Sequence, residues 1–190
     1  EPATPGEDSG QDLLHAVSAI YYRTKATYVL WMLRNLTGDK ALQNALQAYN
    51  SEQDTTPDYF ERILTPLASA DLLSGQKNLS WFFRDWVYRD TGLPDLSIAA
   101  VYPSSESHQQ YLVAVDIANA GYASALVPLT VKGYSASMTD WVQVPAHARI
   151  THRMTVSQNP TEVDLNDGSV PEVQDSIHRT TLNTSSPGGF

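Results

Sequence analysis

Cysteine is absent from this chain, which removes disulfides, thiol nucleophiles and thiolate metal sites in one stroke and leaves the redox compartment open. Basic residues are scarce: 12 Lys and Arg stand against 21 Asp and Glu, a formal net charge of -9. Phosphate backbones and anionic membrane surfaces both attract cations, so this balance argues against nucleic acid as a partner. No apolar run approaches the roughly 20 residues that cross a bilayer, and no membrane span is expected. The opening stretch EPATPGEDSG has neither a basic end nor an apolar segment and is no signal peptide. It begins at Glu1 without Met and reads as the start of a cut or processed piece, with residues 1–10 a flexible segment. What remains is 190 residues at 42% hydrophobic and 17% charged, enough for one domain or two small ones with a real core. The N-x-S/T sites at Asn35, Asn78 and Asn183 matter only in a glycosylating host.

The hydrophobic period divides the chain. Val29, Met32, Leu33 and Leu36 recur at helical spacing and Gly38 closes that helix; Leu42, Ala45, Leu46 and Tyr49 repeat the pattern, as do Phe60, Ile63, Leu64 and Leu67 behind Thr56-Pro57. Pro66 removes a helical hydrogen bond, which predicts a kink or restart near Thr65. In NLSWFFRDWVYRDTGLPDL, residues 78–96, Leu79, Phe82, Phe83, Trp86 and Val87 make one apolar stripe. Asn78 is the expected cap, Asp85 and Arg89 an expected pair on the wet face, and Gly92 with Pro94 the stop. After Pro94 the period becomes two, in six short Val-, Ile- and Thr-rich segments at the spacing of an all-β sandwich, with Asn119-Ala120-Gly121 read as a hairpin turn. The expected fold is therefore α+β in two parts: an α-helical bundle over residues 11–93, an antiparallel, immunoglobulin-like β-sandwich over residues 94–172, and a loose tail over residues 173–190.

Chemistry is sparse. Histidines lie at 15, 108, 147, 152 and 178, and no pair has the i, i+4 spacing with an intervening Glu of a zinc-protease helix. His147 and His152, five apart in an expected strand, would face opposite ways. DLNDGSVPE, residues 164–172, sets its Gly one place too early for a calcium loop and reads as a capped turn. GEDSG and GYSAS do not match a nucleophile elbow, no Gly-rich phosphate loop occurs, and Asp85 with Asp90 reads as a solvated charged face.

The order of the helical motifs carries a resemblance. YYRTKATYVLWMLRNLTGDKALQNALQAY, then YFERIL, then LSWFFRDWVYRDTGLPDLSI resembles the end of the thermolysin-like catalytic domain of aminopeptidase N-type gluzincins, zinc metallopeptidases in which that domain runs into a β-sandwich. Lys25, Val29-Leu30, Met32-Leu33, Phe82-Phe83, Trp86 and Gly92-Leu93-Pro94 match the family's motifs, over residues 21–96. The resemblance implies a C-terminal fragment that walls the substrate cleft, with zinc held by the parent protein, whose H-E-x-x-H helix, further Glu ligand and G-x-M-E-N strand are absent here. It places Arg23 where the family has its catalytic Tyr, the phenol that stabilises the oxyanion. Tyr22, one residue away, is the candidate catalytic residue, and serves only if the helix begins after it. No metal ligand or cofactor is expected in this chain, and the fragment alone is expected to be inactive. The expected partners are the parent's upstream catalytic domain, or a second copy docked through the helical half. The rival readings are a pseudoenzyme scaffold, which Arg23 favours, and a non-catalytic β-sandwich module that recognises a peptide, glycan or protein. A cysteine-free acidic chain with a β-sandwich suits a periplasmic or secreted setting better than the cytoplasm.

Overall fold

The computed structural model describes residues 12–68, 78–89, 92–106, 110–174 and 177–182; the expected flexible segment at residues 1–10 and the last residues of the tail lie outside these. The fold is α+β, with helices and two antiparallel sheets. The chain divides into two compact units, Glu1–Gly92 and Leu93–Phe190.

In the first unit, α1 (Ala19–Thr37) starts at Ser18, whose side chain accepts from the Tyr21 N–H, and ends at Gly38, which adopts φ +84 and donates its N–H to the Arg34 carbonyl at 2.8 Å. α1 buries Val29, Met32, Leu33 and Leu36, the stripe that its spacing predicts. α2 (Asp39–Ala48) buries Leu42 and Ala45 but leaves Leu46 half exposed. Tyr49 does not continue its stripe, because the backbone turns extended there and the ring packs 5.7 Å from that of Tyr59 instead. α3 (Tyr59–Leu67) runs without a break through Thr65, and Pro66 sits in its last turn, where the helix is about to end anyway.

The aromatic helix departs from the sequence expectation. It is one α-turn, α4 (Ser80–Phe83), followed by a π-helical turn over Arg84–Tyr88. Leu79, Phe82, Phe83, Trp86 and Val87 are all buried, with Phe82 and Trp86 stacked at 6.3 Å. Asp85, however, is not on the wet face. The wider i→i+5 turn carries it inward, where it is buried and accepts from the Arg84 guanidinium at 2.7 Å.

The second unit holds β1 (Leu96–Ser105), β2 (Tyr111–Asn119), β3 (Ala125–Lys132), β4 (Ser137–Val144), β5 (Ala148–Val156), β6 (Glu162–Leu165) and β7 (His178–Thr181). The sheets run β1-β2-β5 and β4-β3-β6-β7. Alternation sends Val113, Val115 and Ile117 of β2 and Val127, Leu129 and Val131 of β3 into the core at 1% exposure or less. Proline is tolerated in two strands for positional reasons. Pro103 lies on an edge strand, and the Pro128 carbonyl accepts from the Asn166 N–H beyond the end of the β6 ladder, so no ladder bond is lost on that side.

Two expectations fail here. Asn119-Ala120-Gly121 is no hairpin turn, since β2 and β3 belong to different sheets. Asn119 is instead a buried junction: its Oδ1 accepts from the Asp95 and Gly121 N–H groups, and its Nδ2 donates to the Ala123 and Val144 carbonyls. Gly121 is required by close approach, because a Cβ there would lie 2.3 Å from the Leu93 carbonyl oxygen. Nor is the tail loose throughout. His178–Thr181 form β7 on β6 and extend the sheet, although four polar residues carry no hydrophobic alternation to announce them.

Candidate functional site

Tyr22 stands in the first turn of α1, its N–H donating to the Ser18 carbonyl at 3.0 Å. The helix therefore begins before it, not after it. Its ring is 37% exposed, with the Arg23 guanidinium 6.0 Å from the ring centroid. The neighbouring Tyr21 takes the ordered contact: Lys25 Nζ donates to its hydroxyl at 3.3 Å and lies 5.6 Å from its ring centre.

Three of the histidines sit against carboxylates. His15 Nδ1 contacts the Asp12 carboxylate at 2.8 Å, His152 Nε2 lies 3.0 Å from Asp140, and His178 Nε2 lies 2.9 Å from Glu172. His147 falls outside β5, in the turn before it, at φ +53 with its ring edge-on to Tyr122. His108 and Asp90 lie outside the described residues. In the 164–172 stretch Asp164 bonds Arg179 and Lys132, while Asn166 Oδ1 collects the N–H groups of Asp167, Gly168 and Val170. That is a capped turn. Among the described residues no group of three or more His, Cys, Asp or Glu is placed to hold a metal ion.

Two carboxylate networks had no sequence signal. Glu61 on α3 accepts from the Tyr88 hydroxyl at 2.6 Å and from Ser80 Oγ at 2.8 Å. Burial first, and then the bond to Glu61, push the Tyr88 phenol well above its usual range, so it stays a neutral donor. Glu172 is almost wholly enclosed, its side chain 1% exposed. It accepts from the Leu96 N–H at 2.9 Å, Asn166 Nδ2 at 2.7 Å and His178 Nε2, tying the start of β1 to β7. Both networks join residues far apart in sequence and brace the segments that carry them.

The outer side of α1 carries exposed apolar residues. Ile20, Tyr28 and Trp31 are 74%, 45% and 50% exposed, and Ile20 and Trp31 lie opposite the buried Val29 and Leu36 on the helix wheel. The Arg34 guanidinium lies 5.2 Å from the Trp31 ring centroid and pairs with Asp39. Arg34 and Asp39 also border an open groove of about 440 Å³ lined by Leu42 and Leu46 of α2. Among the described residues, no helix is long and apolar enough to cross a membrane.

No family model and no curated protein matches the chain. Among solved structures the chain is similar to a selenomethionine-labelled β-glucosidase from Kluyveromyces marxianus at 12% identity and a TM-score of 0.29. That likeness covers 51% of this chain and only 14% of the β-glucosidase, and it carries no argument about fold or activity.

Proposed function

We propose that this chain is the C-terminal part of an aminopeptidase N-type zinc metallopeptidase-like protein. Its helical unit would close the catalytic domain and wall the substrate cleft, and its second unit would be an immunoglobulin-like β-sandwich that supports it. The motif order over residues 21–96 supports the family, and the strand order β1-β2-β5 with β4-β3-β6-β7 supports the sandwich. The observation that carries the reading is the exposed apolar side of α1. A helix with Ile20 and Trp31 in water on one side and a full core stripe on the other has two faces to bury, and the chain as described buries one. In this reading the upstream catalytic domain covers the other.

This chain's own residues then bind and position, and the zinc chemistry of activating water and polarising a carbonyl belongs to the parent's upstream ligands. Tyr22 is the group proposed to meet the developing oxyanion. One observation favours the second reading, a pseudoenzyme scaffold: α1 already begins at Ala19, so Tyr22 is held in helical conformation, while the resemblance sets Arg23 at the family's Tyr position. The coding sequence upstream of Glu1 tests both. An H-E-x-x-H helix followed by a Glu ligand supports the metallopeptidase, loss of those ligands in an otherwise matching domain supports the scaffold, and an unrelated upstream sequence overturns the assignment.

A further inference from the structure

The outward face of the sheet β1-β2-β5 has an unusual relief. On β2 the outward side chains include Ala114 and Ala118, and Ala100 of β1 pairs with Asp116. Along the middle strand Ala114 and Ala118 thus flank Asp116, and in the Ala114 row the neighbouring strands raise walls. On one side Tyr102 of β1 is 58% exposed, and on the other Arg149, Thr151 and Arg153 of β5 point outward. The register aligns them in rows: Tyr102, Ala114 and Arg153 in one, Ala100, Asp116 and Thr151 in the next. Adjacent strands are about 4.8 Å apart, so the walls stand about 10 Å from each other, and successive outward rows are about 7 Å apart along the strand.

The charges on this trough are not balanced. The second unit contains four cations, Lys132, Arg149, Arg153 and Arg179. Lys132 and Arg179 are held by Glu162 and Asp164, and Arg149 by Asp116 at 3.0 Å. Arg153 alone of the four forms no ion pair among the described residues; it acts on Asp116 only at longer range. Asp116 is itself fixed, accepting from Thr151 Oγ1 at 2.6 Å and from Arg149. A guanidinium with no ion pair among the described residues thus stands across Ala114 from an exposed tyrosine, beside a carboxylate held by Thr151 and Arg149.

We propose that this trough is a binding face for an acidic oligosaccharide built of uronic-acid units. A ring lying over Ala114 stacks its apolar face against Tyr102 and presents its carboxylate to Arg153, whose planar fork matches a carboxylate in bidentate geometry. The Asp116 carboxylate and Thr151 Oγ1, whose own proton goes to Asp116, both accept from the hydroxyls of the neighbouring ring one row along. An acidic peptide satisfies Arg153 equally well but leaves the Tyr102 wall without a ring to stack on, which is why the sugar is the favoured occupant. The inference stands on the second unit alone and does not depend on the aminopeptidase reading.

The test is calorimetric titration of the full chain with two probes, oligogalacturonate and oligoglucuronate, each beside its carboxyl-reduced neutral counterpart, and with polyglutamate. Saturable binding of at least one uronate is expected, weakened about tenfold or more in the neutral counterpart, in Arg153→Gln and in Tyr102→Ala, and to a smaller degree in Arg153→Lys. Tyr134→Ala, which alters a 97% exposed ring on the hairpin between β3 and β4, should change nothing. Unchanged far-UV spectra establish that the surface variants fold. Absence of saturable binding to both uronates, full affinity in Arg153→Gln, or equal affinity for polyglutamate overturns the proposal.

Discussion

Replacing Glu172 by Ala is the most informative single perturbation of the second unit. The carboxylate accepts from the Leu96 N–H, Asn166 Nδ2 and His178 Nε2, with its own side chain 1% exposed. Truncation strands these donors unequally. The Leu96 amide belongs to a residue 2% exposed and has nowhere to turn, at a cost of about 1–3 kcal/mol. Asn166 keeps its bond to the Val170 carbonyl and loses only its second N–H, a similar or smaller cost. His178, 19% exposed, can turn to water and contributes least. Relief of the desolvation of a buried carboxylate offsets part of the sum, leaving a loss of about 3 kcal/mol. Against the 5–15 kcal/mol typical of whole domains that is large, and at ordinary urea slopes it lowers the midpoint by about 1–3 M. Glu172→Gln retains volume and one acceptor but turns an NH2 toward a donor, so it should cost roughly half as much. Urea unfolding followed by far-UV circular dichroism, with amide exchange read at Leu96, measures both effects. An Ala variant with the wild-type midpoint and unchanged protection at Leu96 would refute the assignment of Glu172 as the brace between β1 and β7.

Three further outcomes are expected. Trp86→Ala, at 4% exposure and stacked on Phe82, should destabilise the helical unit by about 3–5 kcal/mol, and a melting temperature equal to wild type would show that the π-helical turn does not anchor that core. Gly121→Ala places a Cβ 2.3 Å from backbone at Leu93 and should cost about 2 kcal/mol or more in thermal unfolding, with a neutral result contradicting the packing of residues 93–95 against the β2–β3 connection. Burial works to raise the Asp164 carboxyl, but hydrogen bonds from Arg179 and Lys132 outweigh it and hold the group below its ordinary value of about 3.9. A depressed carboxylate stabilises the fold above that ordinary value, and the contribution fades as pH falls through the folded value, so acid unfolding of wild type should steepen below about pH 4 more than that of Asp164→Asn. Parallel acid curves for the two would remove the ion-pair cluster from the account.

The helical core was legible because its signal is local. Val29, Met32, Leu33 and Leu36, and the stripe from Leu79 to Val87, announce one buried face each through spacing alone, and all are buried. The same reading misjudged Asp85, because a period of 3.6 presumes an α-helix and the chain makes a π turn at that point. Tyr22 was singled out by resemblance, and where α1 begins relative to it depends on Ser18, a cap that any of several nearby polar residues could have supplied. The face with Tyr102 and Arg153 had no signal at all, since its rows join strands that are adjacent in the sheet but far apart in the chain.

By itself the sequence determined the change of period after Pro94, the positions of six of the seven strands, and the buried stripes of the first and the aromatic helices, though not Leu46, Tyr49 and Leu67, which are exposed, because burial patterns are written in single segments with a spacing set by backbone geometry. Only the tertiary structure decided which strands share a sheet, that Asn119 and Gly121 form a junction between sheets and not a hairpin, and that four polar residues at 178–181 form a strand. The reason is the same in each case. Strand partners, a glycine under a neighbouring backbone and a buried carboxylate with three donors are relations between residues up to 76 positions apart. Their free energy depends on which other segment arrives beside them, and no periodicity within one segment encodes that choice.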